Sequence, residues 1–495
     1  MTLTRHFPVL IIITPLLTAV IISILSEWKK SLALPLSIIA LSASLLMSVS
    51  LIPETLRMGY ISYRLSAWEP PFGIEIRIDY LGLFMMVLVS LVSLISVIYS
   101  GKYIRREVSA DREAVYYSLF MLIAGSMLGF LATGDIFNMF VFIEIMSITS
   151  YALVAIAGEG RAIRAAFRYL IMGAPSSILI LLAISFLYAV TGTLNMGDLT
   201  AKIASSAYPK VVTVAYGVFI IGFAVKAALF PLHQWLPDVH SIAPSPVSAL
   251  LSGLVVKMGI FGVIRLALSI YTTRYSGGAN AVTGLLAWVG AGAILFGSVM
   301  AIRQEELKRM VAYSTVAHVG YIFTGIGLME KASLVGSIYH ILDHSLAKAC
   351  LFLVAGAVIY ATGYRRINDL RGAAKKMPLS CAAFALASLS VIGIPPTAGF
   401  VSKWYLIRGS FTAGNLVPGI VILIGSVLAA WYCLRIVYYM FFLPTEDGKW
   451  DKIKGDAPLP MVAPPLILSS LTLLLGVFAY LILPSLTKAI ERLIA

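Results

Sequence analysis

Residues 223–265 read FAVKAALFPLHQWLPDVHSIAPSPVSALLSGLVVKMGIFGVIR. Two lysines, Lys226 and Lys257, sit in runs that are otherwise apolar, and Pro231 cuts the first run just after its lysine. Lys257 lies about 13 residues from either end of the apolar segment 244–272, or roughly 20 Å at helical rise. A lysine stem reaches about a third of that, so its ammonium cannot snorkel to water. An ionisable group held in lipid costs several kcal/mol and is tolerated only where it faces the interior of a helix bundle and finds a partner. The stretch therefore predicts an all-α polytopic membrane protein with charged groups inside it.

The rest of the chain agrees. Sixty per cent of its 495 residues are hydrophobic and 12% are charged, with a mean hydropathy of +0.93. That leaves too little polar surface for a soluble protein of this length. A net charge of +14 would suit nucleic acid, but the Lys and Arg residues cluster at segment ends, where topology determinants belong, so no nucleic-acid partner is expected. Cys350, Cys381 and Cys433 lie in apolar runs without ligand spacing and read as small core residues. Residues 7–25 read as a retained first span.

About 14 apolar segments are long enough to cross a bilayer: 7–25, 31–52, 79–100, 114–133, 136–157, 168–191, 211–236, 244–272, 280–302, 309–329, 332–361, 379–407, 413–443 and 459–487. The longest polar connections are 53–78, 362–378 and 444–458. Alternate loops, including 26–30, 101–113, 158–168, 303–309, 362–378 and 444–458, carry about 20 basic residues against about 11 on the other side. The cluster Arg365, Arg366, Arg371, Lys375, Lys376 weighs most. The basic side is expected to face the cytoplasm, with both termini outside.

Two segments are broken by proline: FAVKAALFPLHQWLP at Pro231, and IGIPPTAGFVSKW at Pro395 and Pro396. Proline removes a backbone donor and frees carbonyls, which a membrane tolerates where the break lines a protein-walled or wet cavity. Lys226 precedes its break and Lys403 follows its own. Two repeats of opposite topology would give that reversed order.

The remaining intramembrane ionisable groups extend the series. Glu144 sits mid-span in FNMFVFIEIMSITSYALVAI; alone it would stay protonated, beside a lysine it can ionise. His340, His344 and Lys348, spaced by four in IYHILDHSLAKACLFLVAG, stack on one helix face. They form a ladder that can take and give protons. Metal binding by the two histidines is the rival, but no HExxH glutamate or third ligand accompanies them. Asp343 lies between them on another face. His318 reads equally as a satisfied core histidine. Arg265 and Arg435 lie near span ends and read as anchors. His233, Asp238 and His240, at the foot of the first broken helix, read either as a proton entrance or as a helix cap.

These residues resemble a known family. The block 223–265 is similar to the signature of the antiporter-like subunits shared by respiratory complex I, Mrp-type cation/proton antiporters and membrane-bound hydrogenases. KRMVAYSTVAHVGYI, HSLAKACLFLVAG and GIPPTAGFVSKW resemble the family's later motifs, over about residues 76 to 440. The resemblance implies 14 helices with two inverted five-helix repeats, each containing a broken helix. It divides the chain into 1–113, a first repeat 114–272, a second repeat 273–443, and 444–495 as a loop and last helix. It implies that Glu144 pairs with Lys226, that Lys257 is the central lysine, that His344 and Lys348 occupy the connecting helix, and that Lys403 is the terminal lysine. Lysine at 403, and the lack of a long lateral C-terminal helix, point to the Mrp D-type branch.

The expected function is translocation of protons, with Na+/H+ exchange as a variant, through this Glu/Lys/His relay. Protons enter near His240, reach Lys226, and pass through Lys257, His344 and Lys348 to Lys403. The chain has no nucleotide loop, haem ligand pair or iron–sulfur cysteine set, so no cofactor or metal is expected in it. Driving energy must come from partners: other membrane subunits, further antiporter-like subunits among them, and a peripheral redox arm in a hydrogenase-, sulfur-reductase- or complex I-like oxidoreductase. The alternative is a non-redox Mrp-type Na+/H+ antiporter. A self-sufficient sodium carrier would need several converging oxygens, and intramembrane carboxylates are scarce.

Overall fold

The computed structural model describes residues 3–26, 28–65, 68–271, 279–445, 450, 453 and 455–494. The chain opens with α1 (Phe7–Leu25), α2 (Ala33–Ser50) and the short α3 (Ile52–Met58). An antiparallel hairpin follows, β1 (Tyr60–Arg64) on β2 (Glu75–Asp79), in the register Tyr60 opposite Asp79. By sequence, 53–78 is only a polar connection, so the hairpin is a correction to that expectation. The alternation in YISYR and EIRID is its signal, but each strand spans only five residues, too few to stand out in so apolar a chain.

The bundle continues through α4 (Tyr80–Glu107), α5 (Glu113–Ala132), α6 (Ile136–Ala155), α7 (Gly160–Thr191), α8 (Met196–Ala204), α9 (Pro209–Lys226) and α10 (Trp235–Ile242). Next comes one span, Ser245–Ile270, made of α11 (Ser245–Leu250) and α12 (Val256–Arg265) with π-helical turns after each. The rest is α13 (Ala279–Ile302), α14 (Leu307–Leu328), α15 (Lys331–Thr362), α16 (Pro378–Ile392), α17 (Ala398–Thr412), α18 (Leu416–Phe441), α19 (Leu459–Val477) and α20 (Ala479–Ile494).

Among the described residues, thirteen helices are long and apolar enough to cross a bilayer, and α16 with α17 supplies a further apolar stretch. The outer surface is that of a lipid-facing bundle, with Leu46 and Val427 each 71% exposed. The span Ser245–Ile270 is buried except at Ser269 and packs against α15, which also touches α4, α14, α16, α17 and α19. These two form the spine of the molecule. The last segment differs from expectation. The apolar run 459–487 is not one helix: α19 ends at Val477, and α20 carries Lys488, Glu491 and Arg492.

Caps set the helix starts. Asp79, Asp135 and Asn195 accept backbone N–H bonds from Gly82 (2.8 Å), Asn138 (2.8 Å) and Gly197 (3.0 Å). Both ends of the chain gather with the hairpin at one end of the bundle: His6 Nδ1 is 3.0 Å from Tyr63 Oη, and Lys331, which opens α15, pairs with Glu491. Arg265 and Arg435 tie down span ends. Arg435 donates to the carbonyls of Ile302 (2.8 Å) and Gln304 (2.6 Å), while Arg265 forks onto the Asp79 carboxylate. Burial pushes the Asp79 carboxyl up, but the Arg265 guanidinium outweighs it and holds the acid below the ordinary carboxylate range. Removing Asp79 leaves Arg265, 9% exposed, uncompensated. Asp79→Ala is therefore expected to destabilise the subunit by about 3–5 kcal/mol, read as earlier thermal unfolding of the solubilised protein. An unchanged midpoint would show that the pair contributes nothing.

Candidate functional site

The two broken helices are built alike. Helix α9 ends at Lys226, Pro231 follows, and the chain resumes at Trp235. At the break the Val225 carbonyl accepts the Ala228 backbone N–H at 3.1 Å and the Trp235 indole Nε1–H at 3.0 Å. Helix α16 ends at Ile392, with Gly393 left-handed (φ 89°) to turn the chain, and Pro395 and Pro396 precede α17. Here the freed carbonyls of Val391 and Ile392 both accept from Lys403 Nζ, at 2.9 Å each. The ammonium of a buried lysine thus takes the place of the amides that the break removed.

At the first break Lys226, on α9, meets α6 and α7. Its Nζ donates to Ser147 Oγ at 2.7 Å and Ser177 Oγ at 2.8 Å, and lies 3.6 Å from Glu144 Oε1. Ser177 in turn donates to Glu144. A hydroxyl therefore bridges acid and ammonium. Lys226 is buried, but the Glu144 side chain is 30% exposed on the outer face of α6, beside the exposed Ile148. Glu144, expected inside the bundle from its mid-span position, is not enclosed by this chain. Its span packs on only one side, and hydropathy does not distinguish the two.

The middle of the molecule holds the second group. Lys257 donates to the Ser252 carbonyl, and Ser252 Oγ is 2.9 Å from Thr315 Oγ1. Lys348 donates to Ser314, one residue away on α14, and to the Val311 carbonyl at 3.4 Å. His318 stacks on both His340 and His344, with ring centroids 5.1 Å away in each case and near-parallel planes. His318 Nδ1 is 3.0 Å from His340 Nε2, and His340 Nδ1 is 2.8 Å from Ser402 Oγ on α17. Both ring nitrogens of His344 lack a partner among the described residues.

The third group surrounds Lys403, whose Nζ lies 4.6 Å from the centroid of the Tyr321 ring. That is within cation–π range. Nearby, Asp343 accepts from Ser390 at 2.5 Å through Oδ1, while its Oδ2 has no partner among the described residues. Lys226, Lys257, His318, His340, Asp343, His344, Lys348 and Lys403 are all buried. The groups able to hold or pass a proton form three clusters, with serine hydroxyls, which both donate and accept, at Lys226, Lys348 and His340. Among the described residues, no group of three or more His, Cys, Asp or Glu is arranged to hold a metal ion.

A family model described as NADH:quinone oxidoreductase/Mrp antiporter, TM, matches residues 133–429, and one for the N-terminus of chain 5 of NADH-ubiquinone oxidoreductase (complex I) matches 69–112. The chain belongs to the NADH:quinone oxidoreductase/Mrp antiporter family. It is similar to the N-type subunit of NADH-quinone oxidoreductase from Desulforudis audaxviator, 39% identical over 487 residues and 96% of each chain. It is also similar to the D-type subunit of a Na+/H+ antiporter from Bacillus subtilis, 30% identical over 99% of this chain and 97% of the relative. Among solved structures it resembles a chain of the membrane-bound sulfane sulfur reductase, an archaeal respiratory membrane complex. The two are 30% identical, with a TM-score of 0.90 over 98% of this chain and 97% of that one. The protein is an antiporter-like, multi-pass membrane subunit of a class found in multi-subunit assemblies.

Glu144 meets Lys226, His340 and His344 stack in one ladder, and Lys403 sits at the second break. The entrance candidates separate. Asp238 is partly exposed and holds Arg168 (2.8 Å) and Arg309 (3.5 Å), whereas His240 is fully buried against Phe352. His233 is buried between Phe230 and Phe296. Among the described residues, neither α10 nor α11 has a side-chain N-cap. Sequence reasoning underrates His318 and passes over Lys308, Ser177, Ser314 and Ser402. A signal exists for two of these, since Ser314 and His318 repeat the spacing of four that links His344 to Lys348.

Proposed function

We propose that this subunit moves protons across the cytoplasmic membrane through a relay of buried lysines and histidines, driven by redox chemistry in partner subunits. The single observation that carries the reading is the Glu144–Ser177–Lys226 cluster. It holds an acid and a lysine 3.6 Å apart beside a helix break, with a hydroxyl between them. Two unit charges at about 4 Å attract by on the order of 4 kcal/mol at an effective dielectric near 20. Moving one charge against 100 mV takes about 2.3 kcal/mol. Opening or closing the pair is thus an energetic step of the right size to alter whether Lys226 keeps its proton.

From the pair, the change in charge acts on Lys257 in the neighbouring buried span, whose Gly259 abuts the broken end of α9. Protons then pass along Lys348, His344, His318 and His340 to Lys403 and out at the second break. Entry is placed at His240, which is buried against Phe352 of α15, the helix that also carries His340, His344 and Lys348. The two lysines on opposite sides of their breaks favour two repeats of inverted topology, 114–272 and 273–443. The basic loops are assigned to the cytoplasmic side, with both termini outside.

A second reading, a subunit of a non-redox Na+/H+ antiporter, is favoured by the likeness to the Bacillus subtilis antiporter protein. Against sodium in this chain stands the scarcity of oxygen ligands: Asp343 is the only buried carboxylate among the described residues. Purification of the intact assembly with mass spectrometry, followed by ion flux in proteoliposomes, tests both. Flavin or iron–sulfur partners with redox-driven acidification are expected. An assembly of small membrane subunits alone, exchanging Na+ for H+ without an electron donor, would replace the first reading with the second.

A further inference from the structure

The side chain of Lys308, in the first turn of α14, is 3% exposed and makes no ion pair among the described residues. Its Nζ donates to the Ala243 carbonyl at 2.5 Å, at the Pro244 joint between α10 and α11. One turn before that joint lies His240, fully buried, with neither ring nitrogen bonded to any described protein group. A buried donor and acceptor left in that state calls for an explanation. On the other side of the joint, Ser245 Oγ is 3.3 Å from Tyr103 Oη, which is 3.1 Å from the Glu107 carboxylate. Glu107 is half-exposed at the end of α4, among Arg105 and Arg106 on the basic-loop side. A buried lysine at Ala243 and a pair of hydroxyls leading from Ser245 to a partly exposed acid thus flank the Pro244 joint, one turn from a buried, unpaired imidazole.

We infer that Lys308 is the gate through which protons from the basic-loop side, collected by Glu107 and carried by Tyr103 and Ser245, load His240. The step balances without a co-reactant. Neutral Lys308 takes a proton delivered through the hydroxyls, and the ammonium gives it to the free His240 nitrogen. Rotation of the two O–H bonds re-aims the wire after each passage. The Ala243 carbonyl holds the ammonium while it waits, so the lysine needs no carboxylate partner that would lock the proton in place.

The inference rests on the proton-relay reading, and the test separates the two. Translocation is measured in vesicles carrying the assembled complex with Lys308→Arg, Lys308→His, Tyr103→Phe and, in parallel, Lys226→Ala. Arginine keeps the charge and the bond to Ala243 but cannot release its proton, whereas histidine can. The expected result is at least a tenfold loss of rate in Lys308→Arg, a several-fold loss in Tyr103→Phe, and retained transport in Lys308→His. Wild-type rates in Lys308→Arg, with Lys226→Ala inactive, overturn the gate and leave a structural tie. Full transport in Lys226→Ala overturns the relay itself. Should Lys308→Arg fail to assemble, Tyr103→Phe at the wild-type rate overturns the gate alone.

Discussion

Lys226→Ala is expected to stop ion translocation by the assembled complex, with a loss on the order of a thousandfold, while the subunit still inserts and assembles. The magnitude follows from the charge pair: about 4 kcal/mol of attraction corresponds to roughly three decades in rate. Assembly survives because the remaining Glu144 carboxyl is partly open on the outer face of α6 and keeps its hydrogen bond from Ser177. Glu144→Gln should lose transport to a similar extent, and the double variant no more than either single one, since the two groups act as a unit. The measurement is dye-reported acidification of vesicles, with subunit content followed on the same membranes. A Lys226→Ala complex that translocates at the wild-type rate would remove the pair from the mechanism.

Lys403 separates structure from transport. Lys403→Met strips the donor from the Val391 and Ile392 carbonyls, both held at 2.9 Å. Each buried acceptor left without its donor costs about 1–3 kcal/mol, so thermal unfolding should come several degrees earlier, with transport lost as well. Lys403→Arg keeps donors at the break, and arginine also stacks well on an aromatic face such as Tyr321. It is expected to restore most of the stability and none of the transport, because its proton does not leave. An Arg variant that transports normally would reduce Lys403 to a static cap on a broken helix.

The amino-acid order alone carries the membrane fold, the two breaks and the intramembrane ionisable groups. These are local properties. Twenty apolar residues span lipid whatever surrounds them, proline breaks the helix it occupies, and Lys257 is remote from water by its position along its own span. The spacing of His340, His344 and Lys348 is local too, and the structure keeps it on one face.

What the sequence could not supply are relations between segments. Ser177 reaches Glu144 from another helix, His318 finds His340 across the α14–α15 contact, and Asp343 finds Ser390. Serines and threonines are too common in membrane helices to announce which one meets a lysine. Lys308 looks like one more loop charge at the end of a span, yet packing of α14 against α10 buries it. Glu144 looks enclosed and is partly open, since hydropathy measures how apolar a segment is and not which side faces a neighbour. Burial and partnership are set by the helices that pack around a residue, and those come together only when the chain folds.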